Sequence, residues 1–390
     1  MSTKVHKRLI VGFLLIFAIF SFGVMTFGEI TATFAYEGPD EFDKSVEMKE
    51  EDQADTYRAR VLNVSEQDPP ASQQSFTEKI QMLEIEILNG PYEGEVYEIE
   101  NPISGNEFYD FNVSENDRIL IRAETVGEDI SNLYIQDFLR ETYIYYAVGA
   151  FALALLLVGG LKGLKTIFTL SLTLFIIFRF MIPLVAEGYN PLWLSVMLAS
   201  LVALISLCVI GGLNKKTVIA IIGTVGGVLV AGVLALIVGE AATLTGFSNQ
   251  EAQLLQYTDI GEIDVQGLLF AGIIIGALGA VMDIGMSIAS ACYEMKDINP
   301  EIEGQDIFKA GLNVGRDIMG TMSNTLVLAY TGTAMPLLLL FLAQDMGYSE
   351  IINMDIIATE VVRAIAGSMG LLVAIPITAI TSGFLLGNKK

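Results

Sequence analysis

The chain has 390 residues, 53% of them hydrophobic, and a mean hydropathy of +0.55, more apolar surface than an ordinary soluble domain carries. The formal net charge of −23 is uneven: residues 36–141 hold 27 Asp/Glu against 8 Lys/Arg, a net of −19, which leaves the rest of the chain at about −4. An exposed region that acidic argues against nucleic acid and anionic lipid as partners and leaves divalent cations, basic partners or a simply solvated surface.

In chain order, Lys4, Lys7 and Arg8 precede an apolar run from Leu9 to about Phe27. The run is longer than the core of a typical signal peptide, so residues 1–35 are expected to be an inside tail and an uncleaved anchor, with Thr33-Phe34-Ala35 as a weak alternative cleavage site. Residues 36–56 are acidic, lack apolar periodicity and fit a solvated linker. From Thr56 the pattern alternates. Tyr57–Val64, Met82–Leu88, Val96–Ile99 and Arg118–Arg122 have the period of strands, with turn signals at Asn89-Gly90-Pro91 and Ser104-Gly105-Asn106. About five short strands within 57–141 predict a small β-barrel or sandwich, with an OB-type barrel as one form.

After Glu141 the apolar residues gather in blocks of about twenty, the length of helix that crosses a bilayer core of about 30 Å. The spans expected are about 142–160, 166–186, 191–212, 217–239, 266–292, 318–343 and 361–386, eight with the anchor. Lys162 and Lys165, then Lys215 and Lys216, then Lys296, Lys309 and Arg316 fall in alternate connections, and Lys389 and Lys390 end the chain. The other connections, 187–190, 240–265 and 344–360, hold no Lys or Arg. Basic loops stay on the cytoplasmic side, so both termini are expected inside and residues 28–141 outside. Asn299-Pro300 marks a turn, after which 304–315 is expected as a short helix along the inner interface, and 349–360 as its counterpart outside.

Ionisable residues inside spans cost about 2.5–3.5 kcal/mol on insertion scales, and are the first place to look for function. Asp283 lies inside the span 266–292, where Gly276, Gly279, Asp283, Ser287 and Ser290 share one helical face beside the small residues Gly272 and Ala280. Such a seam lets helices approach closely, and a carboxylate buried in it either handles a proton or makes a structural hydrogen bond. Asn313, Asp317, Gly320 and Asn324 follow one face of the next span, with Arg316 beside Asp317 near the inner surface; they are either a polar face opposite Asp283 or anchoring and packing. Arg179 is expected to snorkel outward, and Glu360 and Arg363 to form a helix-surface pair. Pro376 is expected to kink the last span, with Thr378, Thr381 and Ser382 satisfying freed carbonyls. Gly223-Thr224-Val225-Gly226-Gly227 fits close packing rather than a phosphate loop, because no Lys-Ser/Thr follows at the motif spacing. The single histidine, His6, lies in the basic tail, and Cys208 and Cys292 lie in apolar blocks far from a CxxC spacing. Neither a metal site, a disulfide framework, a catalytic motif nor a cofactor is indicated.

The stretch 282–291, Met-Asp-Ile-Gly-Met-Ser-Ile-Ala-Ser-Ala, and the stretch 315–330, Gly-Arg-Asp-Ile-Met-Gly-Thr-Met-Ser-Asn-Thr-Leu-Val-Leu-Ala-Tyr, closely resemble the bacterial YibE/F-like membrane protein family. So does the order of anchor, outside domain and multi-span block. The resemblance implies a bacterial cytoplasmic membrane location and no settled activity. A looser likeness links Gly276, Gly279, Asp283, Glu294, Ala310-Gly311, Gly315 and Thr325 to the Asp-bearing region of RND-type permeases and SecD/SecF export subunits, where the Asp takes part in proton-coupled motion. This chain departs from them in its extra spans and its one small outside domain.

The reading is therefore an α-helical polytopic membrane protein of about eight transmembrane helices, with an extracytoplasmic β domain at 57–141 and a seven-helix block at 142–390. Its expected role is that of a proton-coupled transporter or transport-related permease using Asp283, with Asp317, Asn324, Ser287, Ser290 and Arg316 around it. The partners expected are the bilayer, protons and an unknown solute, with a protein partner or a second copy. The alternative is a non-transporting scaffold whose acidic domain binds a partner protein or a divalent cation. An intramembrane enzyme is third, since no Ser/His, HExxH or paired-Asp motif is present.

Overall fold

A computed structural model describes residues 54–70, 76–106, 108, 110–126, 129–258 and 263–387. The expected anchor, the cleavage site, nearly all of the acidic linker and the two C-terminal lysines lie outside these residues. The described chain divides into two compact units, 54–154 and 155–387.

The first unit holds one antiparallel sheet in the order β3-β2-β1-β4-β5: β1 Ala54–Gln67, β2 Lys79–Ile87, β3 Val96–Ile103, β4 Arg118–Val126 and β5 Asp129–Phe138. Alternation makes it, because every second side chain enters the core: Tyr57, Ala59 and Val61 on β1, Leu83, Ile85 and Ile87 on β2, Ile119, Ile121 and Ala123 on β4. A register shift between Val61 and Asn63 puts a bulge at Leu62, which bends the long first strand. The sheet curls until its two edge strands, β3 and β5, line one cleft. Pro102, which has no N–H to give, sits on the edge strand β3, where a ladder tolerates it. The predicted turn at Asn89-Gly90 is present: Gly90 has φ 87°, the Asn89 side chain accepts from the Arg58 N–H at 2.6 Å, and the Tyr57 ring leaves no room for a Cβ at Gly90.

The helices are α1 Glu141–Gly159, α2 Leu161–Ala186, α3 Pro191–Gly211, α4 Lys215–Ala241, α5 Gln250–Leu254, α6 Val265–Ile298, α7 Gly304–Thr333, α8 Met335–Ala343, α9 Tyr348–Ile352 and α10 Asp355–Leu386. Six described helices are long and apolar enough to cross a membrane, and a seventh span results if the bent pair α7–α8 counts as one. Asn190 and Asn214 cap α3 and α4 by accepting from the backbone three residues on. In the second unit α3, α4, α6 and α10 pack together, and α7 lies on α6 and α10. Helices α4 and α10 approach closely: a Cβ on Gly227 would stand 2.6 Å from the Gly370 carbonyl oxygen, and one on Gly370 would stand 2.8 Å from that of Gly227.

Four expectations change. The separate interfacial helix at 304–315 is the first part of α7, since nothing between Gly315 and Ile318 stops a helix; only 299–303 separates α6 from α7. The span 318–343 is not straight but bends by 56° between Thr333 and Met335, where Pro336 cannot bond back to Gly332. The helix expected at 349–360 is a short α9 followed by the start of α10. In α10, which contains Pro376, the hydroxyls of Thr378, Thr381 and Ser382 donate to the carbonyls of Ala374, Ile377 and Thr378 rather than to the Leu372 carbonyl that the proline frees. A π-turn occupies Ile177–Met181 in α2, where the Ile182 N–H bonds to the Ile177 carbonyl immediately before Pro183, which has no N–H to give.

Candidate functional site

The site expected from the sequence rests on two packed helices. Helix α6 turns Ala277, Val281, Ile284, Gly285 and Ile288 toward the core. That fixes the opposite face: Gly272, Gly276, Gly279, Asp283 and Ser287 follow steps of three and four, and all are exposed, while Ser290 is half-buried at the border. The periodicity placed these residues on one face correctly. It also placed Asp283 in a buried seam, and this is corrected: in this chain the apolar side of α6 takes all the packing against α3, α4 and α10, and the carboxylate is left outward.

Helix α7 behaves alike. Ile307, Gly311 and Gly315 are buried at four-residue spacing, with Gly311 set against Cys292 and Ala379, and Gly315 against Ile375 and Ile288. Asn313, Arg316, Asp317, Gly320 and Asn324 consequently face away from the core and are exposed. Among the described residues, the side chains of Asp283, Ser287, Ser290, Arg316, Asp317 and Asn324 make no hydrogen bond or ion pair, so the structure brings them to one helix pair without joining them. Chemically the stripe offers a carboxylate with hydroxyl and amide neighbours, in helices of membrane length.

Toward the other ends of these helices lies a group that sequence reasoning saw only in part. Arg363 donates to Glu360 at 2.7 Å, and its guanidinium stands 6.0 Å from the Tyr330 ring centre. Side-chain exposures of 29% and 23% make this a half-buried pair under an aromatic of α7, not a helix-surface pair. The second oxygen of Glu360 is buried without a partner. Tyr330 closes the 315–330 stretch, but only the packing of α7 on α10 reveals its neighbours. Its hydroxyl would stand 3.0 Å from a Cβ on Gly276, so the aromatic reaches the α6 stripe at its glycine end. Arg179 and Glu187 are both exposed and, among the described residues, do not pair. Gly223 and Gly227 are buried in α4 against α10, as close packing requires. Cys208 and Cys292 are free thiols, and among the described residues no three His, Cys, Asp or Glu side chains gather as a metal site would.

A model of the YibE/F-like protein family matches residues 147–388, and one of the YibE/F family N-terminal domain matches residues 52–138. No curated protein and no solved structure matches the chain. The two matches cover the helical unit and the curled sheet in the order the sequence resemblance implied, and the chain belongs to the YibE/F-like family of membrane proteins.

Proposed function

We propose that this chain is a multi-pass protein of the bacterial cytoplasmic membrane that couples transport to protons, with Asp283 as the group that takes and gives the proton. One observation carries the reading: Asp283 and Ser287 on α6, and Asp317 and Asn324 on α7, are exposed on helices of membrane length. A carboxylate facing hydrocarbon costs about 2.5–3.5 kcal/mol on insertion scales, so such residues face water or protein. Transporters place their sites between helices near the midplane, and Asp283 lies near the middle of α6. The basic connections support a topology with both termini cytoplasmic, residues 28–141 outside and Leu9–Phe27 as an eighth span. The reading assigns the chain no enzymatic step and no cofactor. Reconstituted in sealed vesicles, the wild type is expected to pass protons at least tenfold faster than Asp283→Asn; equal flux removes Asp283 from the mechanism.

A second reading, of the outside domain as a partner-binding module, is favoured by the cleft between β3 and β5. The strand order is that of a five-stranded OB-type barrel left open at one seam, an architecture that binds extended ligands on its surface.

A further inference from the structure

We propose that two copies of this chain pair along α7, with Arg316 of each copy against Asp317 of the other and Asn324 against Asn324. Such pairing goes beyond the transport reading and does not depend on it. The start of α7 buries Ile307, Gly311 and Gly315, the two glycines against side chains of α6 and α10. Beyond Gly315, Leu326 is the one residue of this helix that is buried among the described residues. Asn313, Asp317, Gly320, Asn324, Val327 and Thr331 follow steps of three and four along the open side, and all are exposed. Arg316, also exposed, borders this stripe. A Cβ on Gly320 would meet nothing within 4 Å, so nothing within one copy covers the middle of the stripe. Charged and amide side chains on a membrane helix face protein or water rather than hydrocarbon, and amides and small residues are what hold such helices together. Gly311 set against Cys292 and Gly315 against Ile288 run α7 antiparallel to α6, which brings Gly320 level with Asp283. Asp283 therefore lies beside the stripe, and its carboxylate takes no part in the pairing.

The occupant is a second copy because the face carries its own complement. Neighbouring residues on a helix do not face each other, so Arg316 and Asp317 are a cation and an anion side by side that cannot satisfy one another within a copy. A two-fold axis presents the same patch from both partners, so that residue i meets j and j meets i. With the axis passing near Gly320, each guanidinium meets the other copy's carboxylate, a charge-assisted pair made twice. An Asn side chain holds both donors and an acceptor, so Asn324 bonds to its own image. Gly320 lets the two backbones approach. The chain's own apolar run from Leu9 to Phe27 contains no charged residue and offers neither group a counterion.

The test uses the full-length chain lacking Cys208 and Cys292, reconstituted at high dilution in lipid vesicles, with oxidative disulfide formation as the readout. Asn324→Cys is expected to give disulfide-linked dimers, whereas Leu204→Cys, exposed on α3, is not. In the Asn324→Cys background, Arg316→Glu and Asp317→Arg each set like charges opposite one another and are expected to lower the dimer yield at least tenfold. The same two variants, carrying different tags and mixed before reconstitution, oppose unlike charges at both contacts. They are expected to cross-link to each other within twofold of the parent yield, a recovery that also shows both to be folded. Arg316→Gln and Asp317→Asn, which add no charge, are expected to lower the yield with unchanged thermal melts. Absence of dimers at 324, dimers forming as readily at 204, or a mixture no better than either variant alone overturns the proposal. So does unchanged yield in both neutral variants, or recovery of single copies with a different protein cross-linked at 324. Dimer yield is read without a proton gradient, so failure of this pairing and failure of the Asp283 mechanism are separately visible.

Discussion

Gln81 ties the loop before β4 to the sheet. Its amide nitrogen donates to the Asn112 side chain at 3.0 Å and to the Val113 carbonyl at 3.2 Å, and its oxygen accepts from Asn101 at 3.1 Å and from the Val113 N–H at 3.2 Å. It is 2% exposed. Gln81→Leu keeps most of the volume but strands the Val113 N–H and the Asn101 amide, and is expected to cost about 2–3 kcal/mol, read as a lower denaturation midpoint of the β domain in the full-length protein. Asp110 makes a second tie at the surface. The Ser104 N–H and hydroxyl donate to its carboxylate at 2.8 and 2.9 Å, and these bonds, the backbone one first, hold it below the usual carboxylate range. A carboxylate lowered on folding contributes stability that is fully present above its unfolded value of about 3.9 and is lost as pH falls through the folded value. Melting curves at pH 7 and pH 3 are expected to differ less for Asp110→Asn than for wild type.

Among the elements, α4 and α10 meet backbone to backbone at Gly227 and Gly370. Gly227→Ala puts a methyl into the Gly370 carbonyl and the Val281 side chain, and is expected to destabilise the helical unit by about 1–3 kcal/mol. Gly272→Ala, which meets nothing within 4 Å on the open face of α6, is expected to cost nothing in the same thermal melt. The spans were legible because a twenty-residue apolar block has few alternatives in lipid; α3 begins at Pro191 and ends at Gly211 almost where the sequence put it. What misled was punctuation. The amphipathic start of α7 looked like a surface helix, although its buried residues Ile307, Gly311 and Gly315 continue straight into the span. Pro336, passed over, breaks a helix. Of the strands, β5 was the least visible, since Asp129, Asn132, Gln136 and Asp137 interrupt its alternation and it lies at a sheet edge.

At the scale of the whole molecule, the sequence divided the chain into an alternating region and a helical block; the family matches cover 52–138 and 147–388, and the compact units part at Ala154, inside α1. The candidate site was legible as a set of positions, since helical spacing alone puts Gly276, Asp283 and Ser287 in line. Its direction was not, because a stripe of glycines with one carboxylate can face a partner helix or open space, and only the apolar bulk on the other side of α6 decides which. The Glu360–Arg363 pair was legible as local spacing, but its burial beneath Tyr330 was not, because Tyr330 comes from α7, more than thirty residues of chain before Arg363. Accessibility along α6 follows directly from the account. In a variant lacking Cys208 and Cys292, single cysteines placed at 276, 283 and 287 and at 281, 284 and 288 can be treated with a water-soluble thiol reagent in sealed vesicles. If the exposed stripe is a proton path, 276, 283 and 287 react and 281, 284 and 288 do not; reaction at 283 no faster than at 281 would contradict it.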